Sequence, residues 1–297
     1  KSMESSQFWN LRNDFPTLIP SLNFPPIIIP SRGRSATALL DLSQQMENTG
    51  HYVQIVVLHR KDPDLEEYKR LMKSYPQISF FVIHEKFPQV VGSWRYVCKI
   101  LSEEISEFQH QTFFLVMDDN VLFFDGITLI NDPFPSFGCE SRCDRSQRTH
   151  ISLLSILKHF NNKKLNEKMS EFSAIGFSIG FDKKFNQKKH AYSRQHVFAA
   201  VILNLRKIPF NYLKQMWAME DIEFLNIVNS NSEPSPKESG LIVKFKRFAA
   251  VKKRMNHGGV VIPSDQKTTC RNLISRQTDA RKRSIEEHSI TSSKRGR

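Results

Sequence analysis

Two carboxylates and an amide, Asp118-Asp119-Asn120, follow directly on the apolar run Phe113-Phe114-Leu115-Val116-Met117. Oxygen ligands gathered at the exit of a buried strand can hold a hard divalent cation such as Mn²⁺ or Mg²⁺, and such a cation can stabilise a departing diphosphate. Asp and Asn also favour turns, so a metal site and a plain turn are both open at this point. A second cluster, Pro30-Ser31-Arg32-Gly33-Arg34, follows the apolar Ile27-Ile28-Ile29 and puts two guanidiniums on one turn. That geometry suits phosphate oxygens; a solvated basic turn is the alternative. Farther on, Trp217-Ala218-Met219-Glu220-Asp221-Ile222-Glu223-Phe224 sets the carboxylates Glu220 and Asp221 at a predicted helix start. There they either serve chemistry or complement the helix dipole.

The elements that must position these residues follow a simple order. Ile27-Ile28-Ile29 reads as a strand and residues 36–46 as a helix; residues 52–58 and 65–74 repeat the pattern, and so do 78–83 and 94–108. Residues 113–117 are one more buried strand. Strands alternating with helices predict an α/β fold with a mostly parallel sheet, whose ligands bind beyond the strands' carboxyl ends. Residues 125–150 read as a long surface loop and 151–160 as a helix. Residues 174–181 and 196–205 read as strands, or as a strand and a helix, around the basic segment 182–194. Residues 220–228 are predicted helical, 230–240 a linker and 241–248 a last strand.

Composition sets the outer limits. With 297 residues, 39% of them hydrophobic, the chain can bury a core of its own, and no apolar run approaches the roughly 20 residues of a membrane span. It begins at Lys1 and reads as a segment of a longer protein. Four cysteines are too few for a disulfide framework and predict a reducing compartment, cytosol or nucleus. Cys139, Cys143 and His150 are read as free side chains in preference to a zinc site. The net charge of +13 predicts acidic partners: nucleotide phosphates, nucleic acid or acidic protein. From Lys267 onward nine basic residues face three acidic ones, and the apolar content collapses. The tail is therefore predicted disordered, and Arg281-Lys282-Arg283 with Lys294-Arg295-Gly296-Arg297 fits a nuclear localisation signal.

In chain order, Pro30 to Arg34, Gly92-Ser93-Trp94-Arg95, Asp118-Asp119-Asn120 and Glu220-Asp221 resemble the glycosyltransferases of the GT-A fold. The detail of Ile27 to Ser35, Met117 to Asn120 and Met219 to Glu223 is most similar to the glycosyltransferases associated with TET/JBP DNA-base oxygenases. Within them it is most similar to the carboxy-terminal domain of the oestrogen-induced growth-regulator family of breast cancer. The resemblance spans roughly residues 25–259 and implies a GT-A domain over 25–265, with an extension at 1–24 and a basic tail at 266–297. It implies that Pro30, Arg32, Arg34, Arg95, Asp118 and Asp119 hold a uridine diphosphate sugar. Asp118, Asn120 and His257 are implied as metal ligands for Mn²⁺ or Mg²⁺, and Asp221 or Glu220 as general base. The implied acceptor is a protein hydroxyl, a steroid receptor among the candidates, or a modified nucleobase, in the nucleus. One departure stands out: the last acidic position carries the neutral Asn120, which predicts a weak or dispensable metal and gives weight to a catalytically silent nuclear scaffold.

Overall fold

Strands with apolar side chains at every position suit a sheet covered on both faces rather than one with a wet side. Period-two alternation then sorts those side chains. In the computed structural model Ile27, Ile29, Val56, Leu58, Phe80 and Val82 enter one core, and Ile28, Ile55, Val57, Phe81 and Ile83 enter another. The structure describes residues 8–10, 24–49, 52–109, 112–126, 149–161, 172–179, 192–194, 199–208 and 241–253.

Among these residues the strands are β1 (Phe8–Asn10), β2 (Ile27–Pro30), β3 (Gln54–His59), β4 (Ile78–Ile83), β5 (Phe113–Met117), β6 (Val121–Gly126), β7 (Thr149–Ile151), β8 (Phe172–Ile179), β9 (Tyr192–Arg194), β10 (Ala200–Asn204) and β11 (Leu241–Lys252). They form one mixed sheet in the order β1-β4-β3-β2-β5-β10-β8-β11-β6-β7, with β9 also on β11. Strands β2 to β5 pair in parallel. Strand β10 lies antiparallel between β5 and β8, and β11 pairs parallel with β8 but antiparallel with β6 and β9. This is an α/β mixed sheet flanked by helices, the fold class that the sequence predicts. The chain lays β3 and β4 on one side of β2 and then returns to place β5 on the other. That reversal makes β2/β5 the switch point, beyond whose carboxyl ends a ligand crevice opens.

Helices cover both faces. Tyr68 of α1 (Leu65–Ser74) and the apolar side of α3 (Leu153–Asn161) close the first core. Helix α2 (Val91–Gln109) closes the second with Trp94, Val97, Cys98 and Leu101, a spacing that lies on one helical face. Burial pushes the Cys98 thiol up to about 12, so it behaves as a small apolar side chain. No helix among the described residues is long and apolar enough to cross a membrane.

Two expectations need correction. Residues 36–46, predicted helical, form isolated turns. The Leu39 N–H is drawn to the Asp119 carbonyl at 2.8 Å and the Leu40 carbonyl accepts Gln54 Nε2 at 2.5 Å, so long-range bonds interrupt the helical ladder. The expected loop from 125 begins inside a strand, β6, which follows directly on the three-residue acidic turn. Residues 196–205, open between strand and helix, contribute β10. Residues 127–148, 220–228 and 230–240 lie outside the described residues, as do Cys139 and Cys143. Strand β1 joins the edge of β4, so the 1–24 extension contributes to the sheet. The chain divides after Val260, and residues 261–297 are also outside the described ones.

Candidate active site

The loop after β2 is shaped by partners from the β3–α1 connection and from α2. Ser31 N–H extends the ladder to the Val57 carbonyl at 3.0 Å. Gly33 then takes φ 56°, a left-handed conformation that glycine adopts without a Cβ penalty. Its N–H is shared between the two carboxylate oxygens of Asp62, each at 3.2 Å. Asp64 accepts both the N–H and the hydroxyl of Ser35 at 3.0 Å, and Trp94 Nε1 donates to the Ser31 carbonyl at 3.2 Å. Behind Trp94 lies His59, its ring centroid 5.4 Å away. Lys61 N–H donates to His59 Nδ1, so Nε2 carries the proton and donates to the Phe87 carbonyl, both at 3.0 Å. Burial lowers the His59 pKa, against the raising effect of that carbonyl, which leaves a neutral ring.

The acidic turn after β5 is pinned at every residue. Asp118 N–H donates to the Ala199 carbonyl at 2.7 Å, the Asp119 carbonyl accepts from Leu39, and the Asn120 carbonyl accepts from Lys253 N–H at 2.8 Å. Ala199 itself takes φ 66°, a costly conformation for a residue with a Cβ.

The two carboxylates have different surroundings. Asp118 Oδ1 accepts from an Arg95 guanidinium nitrogen and Oδ2 from Lys252 Nζ, both at 2.7 Å. Burial pushes its pKa up, but Arg95 and Lys252 outweigh that and hold it below the usual carboxylate range. Asp119 Oδ1 accepts from Arg34 at 2.5 Å and Oδ2 from Ser31 Oγ at 2.6 Å. Here burial prevails over Ser31 and Arg34, and the pKa is raised. Because the Ser31 proton goes to Asp119, the 2.7 Å contact between Ser31 Oγ and the Tyr68 hydroxyl is donated by the tyrosine. That same hydroxyl accepts Arg34 N–H at 3.2 Å. Arg32 bonds Gln89 Oε1 through Nε and a terminal nitrogen.

Pro30, Ser31, Arg32, Arg34, Val91, Trp94, Arg95, Asp118, Asp119, Asn120 and Lys252 line one cleft of about 230 Å³. Four cations thus surround two carboxylates, and the first turn of α2, which carries no acidic residue, adds its positive dipole end. Every expected donor-side residue lies here. Asp221, Glu220 and His257 lie outside the described residues. Sequence reasoning missed Lys252, Tyr68 and Gln89, none of which a local signal marks.

The expected metal can be tested against this donor set. Asp118 has both oxygens taken by cations and Asp119 both by Arg34 and Ser31. Asn120 donates to the Lys253 carbonyl at 3.3 Å, and its buried Oδ1 has no hydrogen-bond partner among the described residues. Each carboxylate oxygen keeps a further lone pair, but an ion there would sit against Arg95, Lys252 or Arg34, and Asn120 Oδ1 offers a single neutral ligand. As arranged, these residues do not fit a divalent ion, and among the described residues no three His, Cys, Asp or Glu side chains converge elsewhere.

A family model described as TET-Associated Glycosyltransferase matches residues 25–259. Among solved structures the chain is similar to HddC from Yersinia pseudotuberculosis, with 13% identity, a TM-score of 0.35, and coverage of 84% of this chain and 99% of that one. No curated protein matches.

Proposed function

We propose, for a chain that belongs to the TET-associated glycosyltransferase family, transfer of N-acetylglucosamine or glucose from a uridine diphosphate donor to a hydroxyl of a protein or a modified nucleobase. The observation that carries the reading is the cleft at the β2/β5 switch point, where Arg32, Arg34, Arg95 and Lys252 exceed Asp118 and Asp119 in charge. A surplus of guanidinium and ammonium groups suits a diphosphate.

In transfer the acceptor oxygen bonds to the anomeric carbon as the bond from that carbon to the diphosphate oxygen breaks. The leaving electron pair stays on the diphosphate, where preorganised cations stabilise it. Asp119 and the Tyr68 hydroxyl fix Arg34, and Pro30 sets the start of the loop that carries it. The acceptor proton passes to Asp221, with Glu220 beside it as the second candidate base. A nuclear setting, a steroid receptor among the protein acceptors, and polyanion contact through Arg281-Lys282-Arg283 complete the proposal.

A screen of uridine diphosphate sugars for hydrolysis and transfer tests it: one sugar should turn over, and Arg34→Ala should weaken its binding. A second reading, a silent domain that binds a sugar nucleotide as a scaffold, draws on the full neutralisation of both acidic side chains within the protein. Binding without turnover across the whole panel would select it.

A further inference from the structure

We propose that Lys252 and Arg95 stand in for a divalent cation, so that the donor diphosphate binds without metal and Asp118 serves as the pedestal for both side chains. The inference rests on the sugar-nucleotide reading above and assigns the chemistry of its phosphate subsite.

Three independent observations meet here. The first is placement. Strand β11 runs antiparallel to β6 in regular register up to Val251 opposite Phe123, and then Lys252 falls opposite Val121. The skipped residue, Leu122, is an exposed bulge. A bulge bends the strand and re-aims the side chain beside it, and Lys252 arrives at the acidic turn, where the Lys253 backbone is bonded to Asn120.

The second is geometry. A metal bound by Asp118 would need one of its carboxylate oxygens, yet Oδ1 is held by Arg95 and Oδ2 by Lys252 at the same 2.7 Å. The two cations approach from different elements, α2 and β11. A metal at either oxygen would sit directly against the cation already held there, the largely buried Arg95 at Oδ1 or Lys252 at Oδ2.

The third is charge. Arg95 and Lys252 together carry the two positive charges of a divalent ion. Adding such an ion would set it beside two like charges with one carboxylate to share. Lys252 keeps 29% of its side chain exposed and lines the cleft with Arg32 and Arg34, so its three donors can serve Asp118 and a phosphate oxygen together.

Calorimetry on the full chain, with uridine diphosphate as probe, tests the assignment in chelator and in Mn²⁺. Wild type should bind with the same Kd in both, within about twofold. Lys252→Met should weaken binding in chelator by about ten- to a hundredfold, the range of one charge-assisted hydrogen bond, and Lys252→Arg should restore most of it. A tenfold or greater tightening of wild type by Mn²⁺ overturns the proposal, as does unchanged affinity of Lys252→Met in chelator. Should Lys252→Met fail to fold, the wild-type comparison and Lys252→Arg still decide. Absence of binding in both conditions overturns the sugar-nucleotide reading itself, and the two failures are thereby distinguishable.

Discussion

Replacing Tyr68 with Phe removes one oxygen from the centre of the loop's hydrogen-bond chain and nothing else. That hydroxyl donates to Ser31 Oγ at 2.7 Å and accepts Arg34 N–H at 3.2 Å, and the tyrosine is fully buried. No large cavity results, so packing contributes little. Two hydrogen bonds at about 1 kcal/mol each give a loss of about 2 kcal/mol. For a domain of this size that corresponds to a fall in Tm of about 4–8 °C. Because the chain passes through Ser31 to Asp119 and so to Arg34, uridine diphosphate affinity should fall as well, though the cleft keeps all its charges. Urea unfolding and thermal melting of Tyr68→Phe, Ser31→Ala and the double variant measure the effect, and the two single losses should not add. A melting temperature within about 1 °C of wild type, or strict additivity, would refute the relay from Tyr68 through Ser31 to Asp119.

Gly33→Ala forces a Cβ into the left-handed region at φ 56°. It should cost about 1–2 kcal/mol, read by urea unfolding, and weaken uridine diphosphate binding because the loop loses its seat on Asp62. His159 is buried against Phe160, Phe245 and Phe248, and burial lowers its pKa to about 4. The unfolded chain therefore binds the extra proton first as pH falls, and stability present above about pH 6.5 should be lost by up to about 3 kcal/mol on the way to pH 4. Urea titrations across that range measure the slope, and His159→Leu should flatten it. If Asp221 is the base, Asp221→Asn should lower transfer by about a hundredfold or more with donor binding retained; wild-type transfer in that variant would move the role to Glu220.

How far the sequence could be read follows from the range of the forces involved. Strands β4 and β5 and helix α1 were legible to the residue because their signals are local: unbroken apolar runs on one side, periodic apolar positions with Glu66, Glu67 and Lys73 at the proper helix ends on the other. That the residues expected on the donor side line one cleft was legible because crevices open beyond strand ends in such sheets. The failures share a non-local cause. Residues 36–46 have helix-forming composition, yet Asp119 and Gln54, distant in sequence, capture their backbone groups. The end of β6 was read as the start of the 125–150 loop because its partners, β7 and β11, lie far along the chain. Lys252 was invisible as a site residue because its position depends on a shifted register between β11 and β6, which no window of sequence contains.

The pinning of the acidic turn has a consequence for the order in which the molecule matures. Asn120 meets Lys253 and Asp118 meets Lys252 across separations of 133 and 134 residues, while Asp118 N–H waits for Ala199. During synthesis β2 to β5 can emerge and pair while the turn after β5 still lacks its anchors. The switch-point crevice would exist then only as a row of strand ends, with Asp118 short of its lysine. Its final form requires contacts of high sequence separation, which close last and carry the largest loop entropy. A nascent chain that stops before β11 therefore lacks Lys252 and Lys253, and its acidic turn is without the ion pair and the backbone bonds that pin it in the finished fold.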